Sequence, residues 1–391
     1  MKKYDLVIAG GGIVGVTLAL EVKQKWPEIS ICLIEKNNKI GNEASTNNSG
    51  VLHSGIYYDT NTIKHKVCSE GNRLMSEYCL KNKLPFKNIQ KIILPTSSDT
   101  LDGLKVLIDR AEANNLPHDV LDNQDLKDLE PNISREYGKA LLVKSTSIAC
   151  PQALIGSLQK DLANSNIELM LETDFIDVDV KNKILKCKNC NLIYEYFINC
   201  AGAYAEKIYE KFKSSHNYVI LPFKGSYYKL SGLPSNYLNH LIYPVPNPEL
   251  PFLGIHTVNN FKNEIFLGPS AEPSFKRSIS DSQIISHYSS YFEVVRYLLL
   301  FFFKNKKFRK LSLSESKRIY KYYFLKEVKK LLPNVKNDNL VECKKYGIRP
   351  QLFNKKSGNI ITDFVIEECD SSLHILNAIS TAWTSSFSFS K

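Results

Sequence analysis

An α/β fold is what the sequence predicts, on three observations. The chain opens with an apolar strand that runs into a glycine loop and then an apolar helix. A second apolar strand ends on an acid, and from residue 219 onward the pattern changes to strands punctuated by Pro and Gly. The first two observations define a Rossmann-like βαβ unit of the GxGxxG type, and the third a β-rich α+β unit inserted into it.

The first strand, 4–9, leads into Gly10, Gly12 and Gly15 at G-x-G-x-x-G spacing. Gly10 permits the tight turn, Gly12 lets a pyrophosphate approach bare backbone, and Gly15 lets the helix pack on the strand. Ile13 and Val14 open that helix, whose N-terminus attracts phosphate charge. The second strand, 30–34, ends at Glu35 with Lys36 beside it. An acid about 20 residues past the loop suits the ribose hydroxyls of a dinucleotide. These features leave FAD and NAD both open.

An irregular polar stretch follows at 37–58, then a helix over 62–82, a strand over 89–95 and a helix over 100–115. A short helix is predicted at 125–130 and a longer one at 151–165, with Pro151 suited to the first turn. Short strands alternate over 167–200, and 219–267 is strand-rich. A helical basic block spans 287–332, and strands return over 347–376. The length of 391 residues is enough for two cores. The expected division is a discontinuous nucleotide-binding domain (1–85, 140–215 and 340–391) and a substrate or cap domain (86–139 and 216–339) that contains the basic block.

The net charge of +11 is concentrated: 304–330 holds eleven Lys or Arg and only Glu315 and Glu327 as acids. Just before it, 297–303 reads YLLLFFF. Seven apolar residues fall short of the roughly 20 a membrane span needs. An apolar wedge followed by lysines suits either a solvated helical face or an anionic membrane surface. No nucleic-acid-binding module accompanies the charge, so nucleic acid is not an expected partner. Nine scattered cysteines and no secretory segment point to a reduced, cytoplasmic compartment, with peripheral attachment to the inner face of the membrane as a further expectation. The Cys187-x-x-Cys190 pair lies at a predicted hairpin without a second pair, so no metal site is expected.

The stretch 48–58, NSGVLHSGIYY, resembles the L-2-hydroxyglutarate oxidase/dehydrogenase family of FAD enzymes, part of the wider glycine and D-amino-acid oxidase group. The likeness continues in order through 221–228 (LPFKGSYY), 241–246 (LIYPVP), 251–256 (PFLGIH), 267–269 (LGP) and 347–351 (GIRPQ). The segment 198–203, INCAGA, is similar to the second flavin-side strand and turn of such proteins. The resemblance implies FAD and oxidation of L-2-hydroxyglutarate, a small dicarboxylate, to 2-oxoglutarate. A hydride would pass from C2 to flavin N5, and electrons onward to a quinone or O2. It also implies that Ser45, Asn48, Ser49, Gly50, Ala201, Gly202, Arg349 and Thr384 join the cofactor site. Two departures stand out. The His and Gly that family members carry upstream of Asn48 are replaced by EASTN at 43–47. The C-terminal turn at 377–384 lacks both family prolines, and the seven residues after Thr384 make about two helical turns.

The hydroxyl proton needs a base that is neutral near pH 7, which favours histidine. His53 and His256 are the candidates, with the choice between them open. Arg349 suits a bidentate carboxylate contact, and Lys224, Tyr57 and Tyr227 are candidate further contacts. Two other readings are carried. One is a sibling enzyme acting on an amino acid or, like a glycerol 3-phosphate dehydrogenase, on glycerol 3-phosphate; the other is a non-catalytic or truncated flavin-fold binding protein.

Overall fold

A computed structural model of the chain describes residues 1–246, 253–279 and 288–391. Its central sheet is built around the strand Lys2–Ala9, which pairs in parallel with Ile31–Ile34 on one side and Asn191–Asn199 on the other. Glu168–Met170 extends the first side and Ser372–Ile375 the second, both in parallel. Side chains alternate across this sheet with period two. Leu6 and Ile8 pack with the helix Ile13–Lys25 and with Leu154 and Leu158 of the helix Pro151–Ala163. Val7 and Ala9 pack on the other face with Tyr194 and Phe197. Burial on both faces explains the continuous apolar run that marked these strands. The carboxyl ends of the three central strands bring Gly10, Glu35 and Cys200 to one edge, where ligands of open parallel sheets bind.

An antiparallel hairpin, Phe175–Asp179 and Ile184–Cys187, is appended to Asn191–Asn199. The Cys187 N–H donates to the Cys190 carbonyl at 2.8 Å, closing the next turn. All nine cysteines are free. Among the described residues, no group of three His, Cys, Asp or Glu side chains is arranged to hold a metal ion.

Two further sheets face this one. In the larger, Tyr218–Leu230 and Leu340–Asn354 form a long antiparallel pair, with Ile265–Gly268, His256–Asn259 and Glu272–Pro273 alongside. In the second, the order is Leu241–Pro244, Lys91–Leu94, Lys139–Val143, His118–Asp122. A small three-stranded sheet joins Val51–Leu52, Ser147–Ala149 and Phe86–Asn88. The expected boundary at 139/140 falls inside Lys139–Val143, which is hydrogen-bonded on both sides to cap strands. The expected boundary at 339/340 precedes Leu340–Asn354, which pairs with Tyr218–Leu230 almost from end to end. Because a strand belongs with the ladder that satisfies its backbone, we propose a division that assigns 139–143 and 340–354 to the cap.

The basic block forms three helices, Tyr288–Lys304, Lys306–Arg318 and Lys321–Lys329. Its expected first residue, 287, and residues 251 and 252 of the PFLGIH motif lie outside the described residues. Val294 and Phe301 turn inward against Phe223 and Phe353, whereas Phe292, Leu299 and Phe303 are 65%, 54% and 72% exposed. Among the described residues no helix is long and apolar enough to cross a membrane.

The last helix, Ala382–Phe389, lies against Ile63–Lys81 and Ile13–Lys25. Gly71 makes the approach possible, because a Cβ there would sit 2.6 Å from Ser385 Cα and from the Thr384 carbonyl. The Thr17 and Ser390 hydroxyls meet at 2.8 Å, so this two-turn helix is held by packing and by buried polar contacts.

Candidate active site

The nucleotide cradle is assembled from the three strand ends. Gly10 adopts φ +113°, a conformation L side chains rarely take, and a Cβ there would strike the Cys200 carbonyl at 2.4 Å. A Cβ on Gly15 would strike the Gly10 carbonyl at 2.1 Å, so the helix can seat this closely only on glycine. Gly12 immediately precedes that helix, and a Cβ there would meet only Ser45 Oγ at 3.3 Å, leaving an approach to bare backbone. The Ile13 N–H donates to Ser45 Oγ at 2.9 Å, and Ile13 and Val14 are both buried at the start of the helix. Glu35 is 8% exposed and accepts from the Gly11 N–H at 2.8 Å and from Asn37 N at 2.8 Å. Burial raises its carboxyl above the usual range, against the pull of those donors. These features fit FAD: open backbone at a helix N-terminus for the pyrophosphate and a carboxylate at the ribose position.

The remaining cofactor candidates line the same edge. Asn48 shapes its own loop, donating to the Ser45 carbonyl at 2.8 Å and accepting from the Gly50 N–H at 2.7 Å, with Ser49 half-buried between them. Gly50 has φ +72° and its Cβ would strike the Ala149 carbonyl at 2.5 Å. Ala201 N–H donates to Asn199 Oδ1 at 3.1 Å, and Gly202 begins the turn Gly202–Tyr204. Lys36 lies 4.6 Å from the Tyr204 ring centre and 3.2 Å from Ser278 Oγ. Sequence reasoning missed the cap segment that lies across this end. Arg277 makes a bidentate pair with Glu206 at 3.0 and 3.1 Å, both groups being buried, and the Ile279 N–H donates to Glu43 at 3.0 Å.

Beyond the cradle, the structure brings His53, His256, Arg349, Tyr57 and Tyr227 into one group. His53 follows the short strand Val51–Leu52; its N–H donates to Thr384 Oγ1 at 3.2 Å and its carbonyl accepts from Asn72 Nδ2 at 3.0 Å. His256 begins the strand His256–Asn259 and its ring stacks on Tyr243 at 4.1 Å. Its Nδ1 lies 2.8 Å from the Gly254 carbonyl. A carbonyl can only accept, so Nδ1 carries the proton and Nε2 presents a lone pair. Burial, with help from the neighbouring cations Arg349 and Lys91, pushes His256 down to about 3. Burial, Lys91, His256 and Arg349 push His53 to about 3 as well. Both imidazoles are therefore neutral across the physiological range. The Arg349 charge acts on both the Tyr227 and the Tyr243 hydroxyl, against the upward push of burial.

Two members of this group were not anticipated, Lys91 and Tyr243. Lys91 is 0% exposed, and its Nζ lies 4.4 Å from the Tyr57 ring centre and 5.2 Å from that of Tyr243. Lys224, by contrast, is not gathered with Arg349. The register pairs Phe223 with Arg349 and Lys224 with Ile348, so alternation puts the two basic side chains on opposite faces of the sheet. The Lys224 ammonium lies instead 5.2 Å from the Tyr346 ring centre.

Comparison with known proteins reaches nearly the whole chain. The family model described as FAD dependent oxidoreductase (DAO) matches residues 5–389. L-2-hydroxyglutarate dehydrogenase of Indibacter alkaliphilus is 31% identical, covering 98% of this chain and 96% of its own. The Escherichia coli K12 protein of the same name is 29% identical over 98% of this chain and 90% of its own. Among solved structures, FAD-bound L-alpha-glycerophosphate oxidase from Mycoplasma pneumoniae superposes with TM-score 0.75 at 19% identity, covering 100% of this chain and 93% of that one. Glycine oxidase from Geobacillus kaustophilus gives 0.73 at 16% identity, with the same coverage.

Proposed function

Because the chain belongs to the DAO family of FAD dependent oxidoreductases, and is itself an FAD-dependent oxidoreductase, we propose that it oxidises L-2-hydroxyglutarate to 2-oxoglutarate. The observation that carries this reading is the oriented, neutral His256 beside the Arg349 charge. Full-length similarity to dehydrogenases of that name adds to it.

In this reading FAD, held by Gly10, Gly12, Ile13, Glu35 and Ser45, supplies the acceptor for the hydride that leaves C2. His256 takes the hydroxyl proton at Nε2, since its Nδ1 proton is committed to the Gly254 carbonyl. An anionic substrate beside the imidazole raises its proton affinity, so the base strengthens when it is needed. Arg349 receives one carboxylate, beside the Tyr227 hydroxyl on which its charge acts. His53, fixed through its main chain by Thr384 and Asn72, lies within reach of the same charges. The electrons then pass to a quinone or to O2.

The test is an anaerobic absorbance spectrum of the FAD-loaded protein before and after L-2-hydroxyglutarate. Bleaching of the flavin band by the L isomer and not the D isomer is expected; a band unmoved by the L isomer would overturn the reading. The exposed Phe292, Leu299 and Phe303 beside the lysine-rich helices also support contact with an anionic membrane surface. Flotation with anionic but not neutral liposomes is the expected outcome.

A further inference from the structure

Lys91 is the most unusual charge in the molecule. It lies in the strand Lys91–Leu94, between Leu241–Pro244 and Lys139–Val143, and is 0% exposed. Among the described residues its ammonium has no hydrogen-bond partner, and the hydroxyls of Tyr57 and Tyr243, whose rings flank it, have none either. A buried ammonium without a hydrogen bond is costly even over two aromatic rings, and so is each buried hydroxyl without one. The three residues lie together, with the ammonium over both rings, and the Lys91 charge acts on the two histidines. An ammonium and two phenol hydroxyls are the donor types that a carboxylate requires. Arg349 acts on the same two histidines, so the pair of imidazoles is served by two separate cations. A monocarboxylic hydroxy acid would employ one of them; a dicarboxylate employs both.

We propose that Lys91, with the Tyr57 and Tyr243 hydroxyls, is the receptor for the second carboxylate of the substrate and sets the preference for dicarboxylates. This rests on the hydroxy-acid reading above, in which Arg349 takes the first carboxylate. The electrostatic cost of burying Lys91 is then offset only in the complex, which ties affinity to the presence of the second negative charge.

The experiment uses the FAD-loaded full chain and two non-oxidisable probes, glutarate and butyrate, with the perturbation of the flavin absorbance band as the readout. The wild-type protein is expected to bind glutarate about a hundredfold more tightly than butyrate. In Lys91→Met that ratio is expected to collapse to near one, with butyrate affinity retained, and Lys91→Arg to restore part of it. Lys91→Gln serves as a second neutral variant if the methionine form does not hold FAD. A wild-type preference that survives in both neutral variants would overturn the role of Lys91 alone. A wild-type protein with no preference would sink the dicarboxylate reading and the Lys91 receptor together. Equal loss of both probes would show Lys91 serving the shared carboxylate and would also overturn the proposal.

Discussion

The hydroxyl of Thr384 accepts the N–H of His53 at 3.2 Å and lies 3.3 Å from the Val51 carbonyl, to which it donates. The C-terminal helix is thereby pinned to the segment that carries His53, one of the two candidate histidines. Thr384→Val keeps the shape and removes both contacts. We expect a loss of about 1–3 kcal/mol of stability, since each hydrogen bond contributes about 1 kcal/mol. A roughly tenfold slower flavin reduction should accompany it through misplacement of His53. Thermal unfolding and single-turnover reduction measure the two effects; an unchanged reduction rate would separate the helix from the chemistry.

Replacing the proposed base should slow the proton-transfer step without loss of FAD. His256→Asn is expected to lower the flavin-reduction rate by about 10²–10⁴-fold and to leave FAD content unchanged. His53→Asn should cost less, because the structure fixes its main chain rather than its ring. The opposite ranking in stopped-flow traces would transfer the role of base to His53.

The pH profile should be governed by a lysine rather than a histidine. Burial pushes Lys91 down to about 7, whereas both histidines lie near 3 and stay neutral above about pH 4. The groups facing Lys91 are Cys68, His53, His256, Tyr57 and Tyr243. Burial raises the thiol and both phenols, so none of them is ionised near neutrality. A dianionic substrate prefers the protonated ammonium. Accordingly kcat/KM is expected to hold level from pH 5 to 7 and to fall about tenfold per unit above it, until the raised value in the complex is reached. Lys64, lowered to about 8 by burial, is a second basic group in this range. Loss of the alkaline limb in Lys91→Met would assign the titration to Lys91; its persistence would assign it to Lys64.

The same substitution should make the empty protein more stable. The folded value for Lys91 is below its unfolded value of 10.5. The unfolded chain therefore binds a proton that the folded chain releases between pH 7 and 10.5, and the stability of the wild type rises with pH across that window. Lys91→Met is expected to gain on the order of 1–4 kcal/mol at or below pH 7 and nothing above pH 10.5. Chemical denaturation at pH 6.5 and pH 10 checks the sign; a less stable variant at pH 6.5 would mean the ammonium has a partner in the folded state.

Much of the fold was legible because its signals are local. The strand, glycine loop and helix of the first 35 residues declare themselves by period and spacing, and the cradle around Gly10, Gly12 and Glu35 follows from them. Lys91 was hidden for a physical reason. A lysine in a strand ordinarily points to water, and only the long-range pairing with Leu241–Pro244 and Lys139–Val143 removes that exit. One signal was available: Ile89, Ile92, Ile93 and Leu94 do not alternate with polar residues, which marks a strand covered on both faces. Lys224 and Arg349 show the reverse case. Both sit in strands the sequence revealed, yet which face each side chain takes depends on a register set by residues more than a hundred positions away.

The parallel sheet draws its strands from the start, the middle and the end of the chain, and this orders its synthesis. Lys2–Ala9 must wait for Asn191–Asn199 to emerge, and the 197–199 end of that strand in turn stays unpaired on one side until Ser372–Ile375 leaves the ribosome. During that interval an apolar strand edge is available to any neighbouring chain. Yield in a cell is therefore expected to depend on how long nascent chains are shielded before Ser372–Ile375 arrives, as well as on the final stability of the fold.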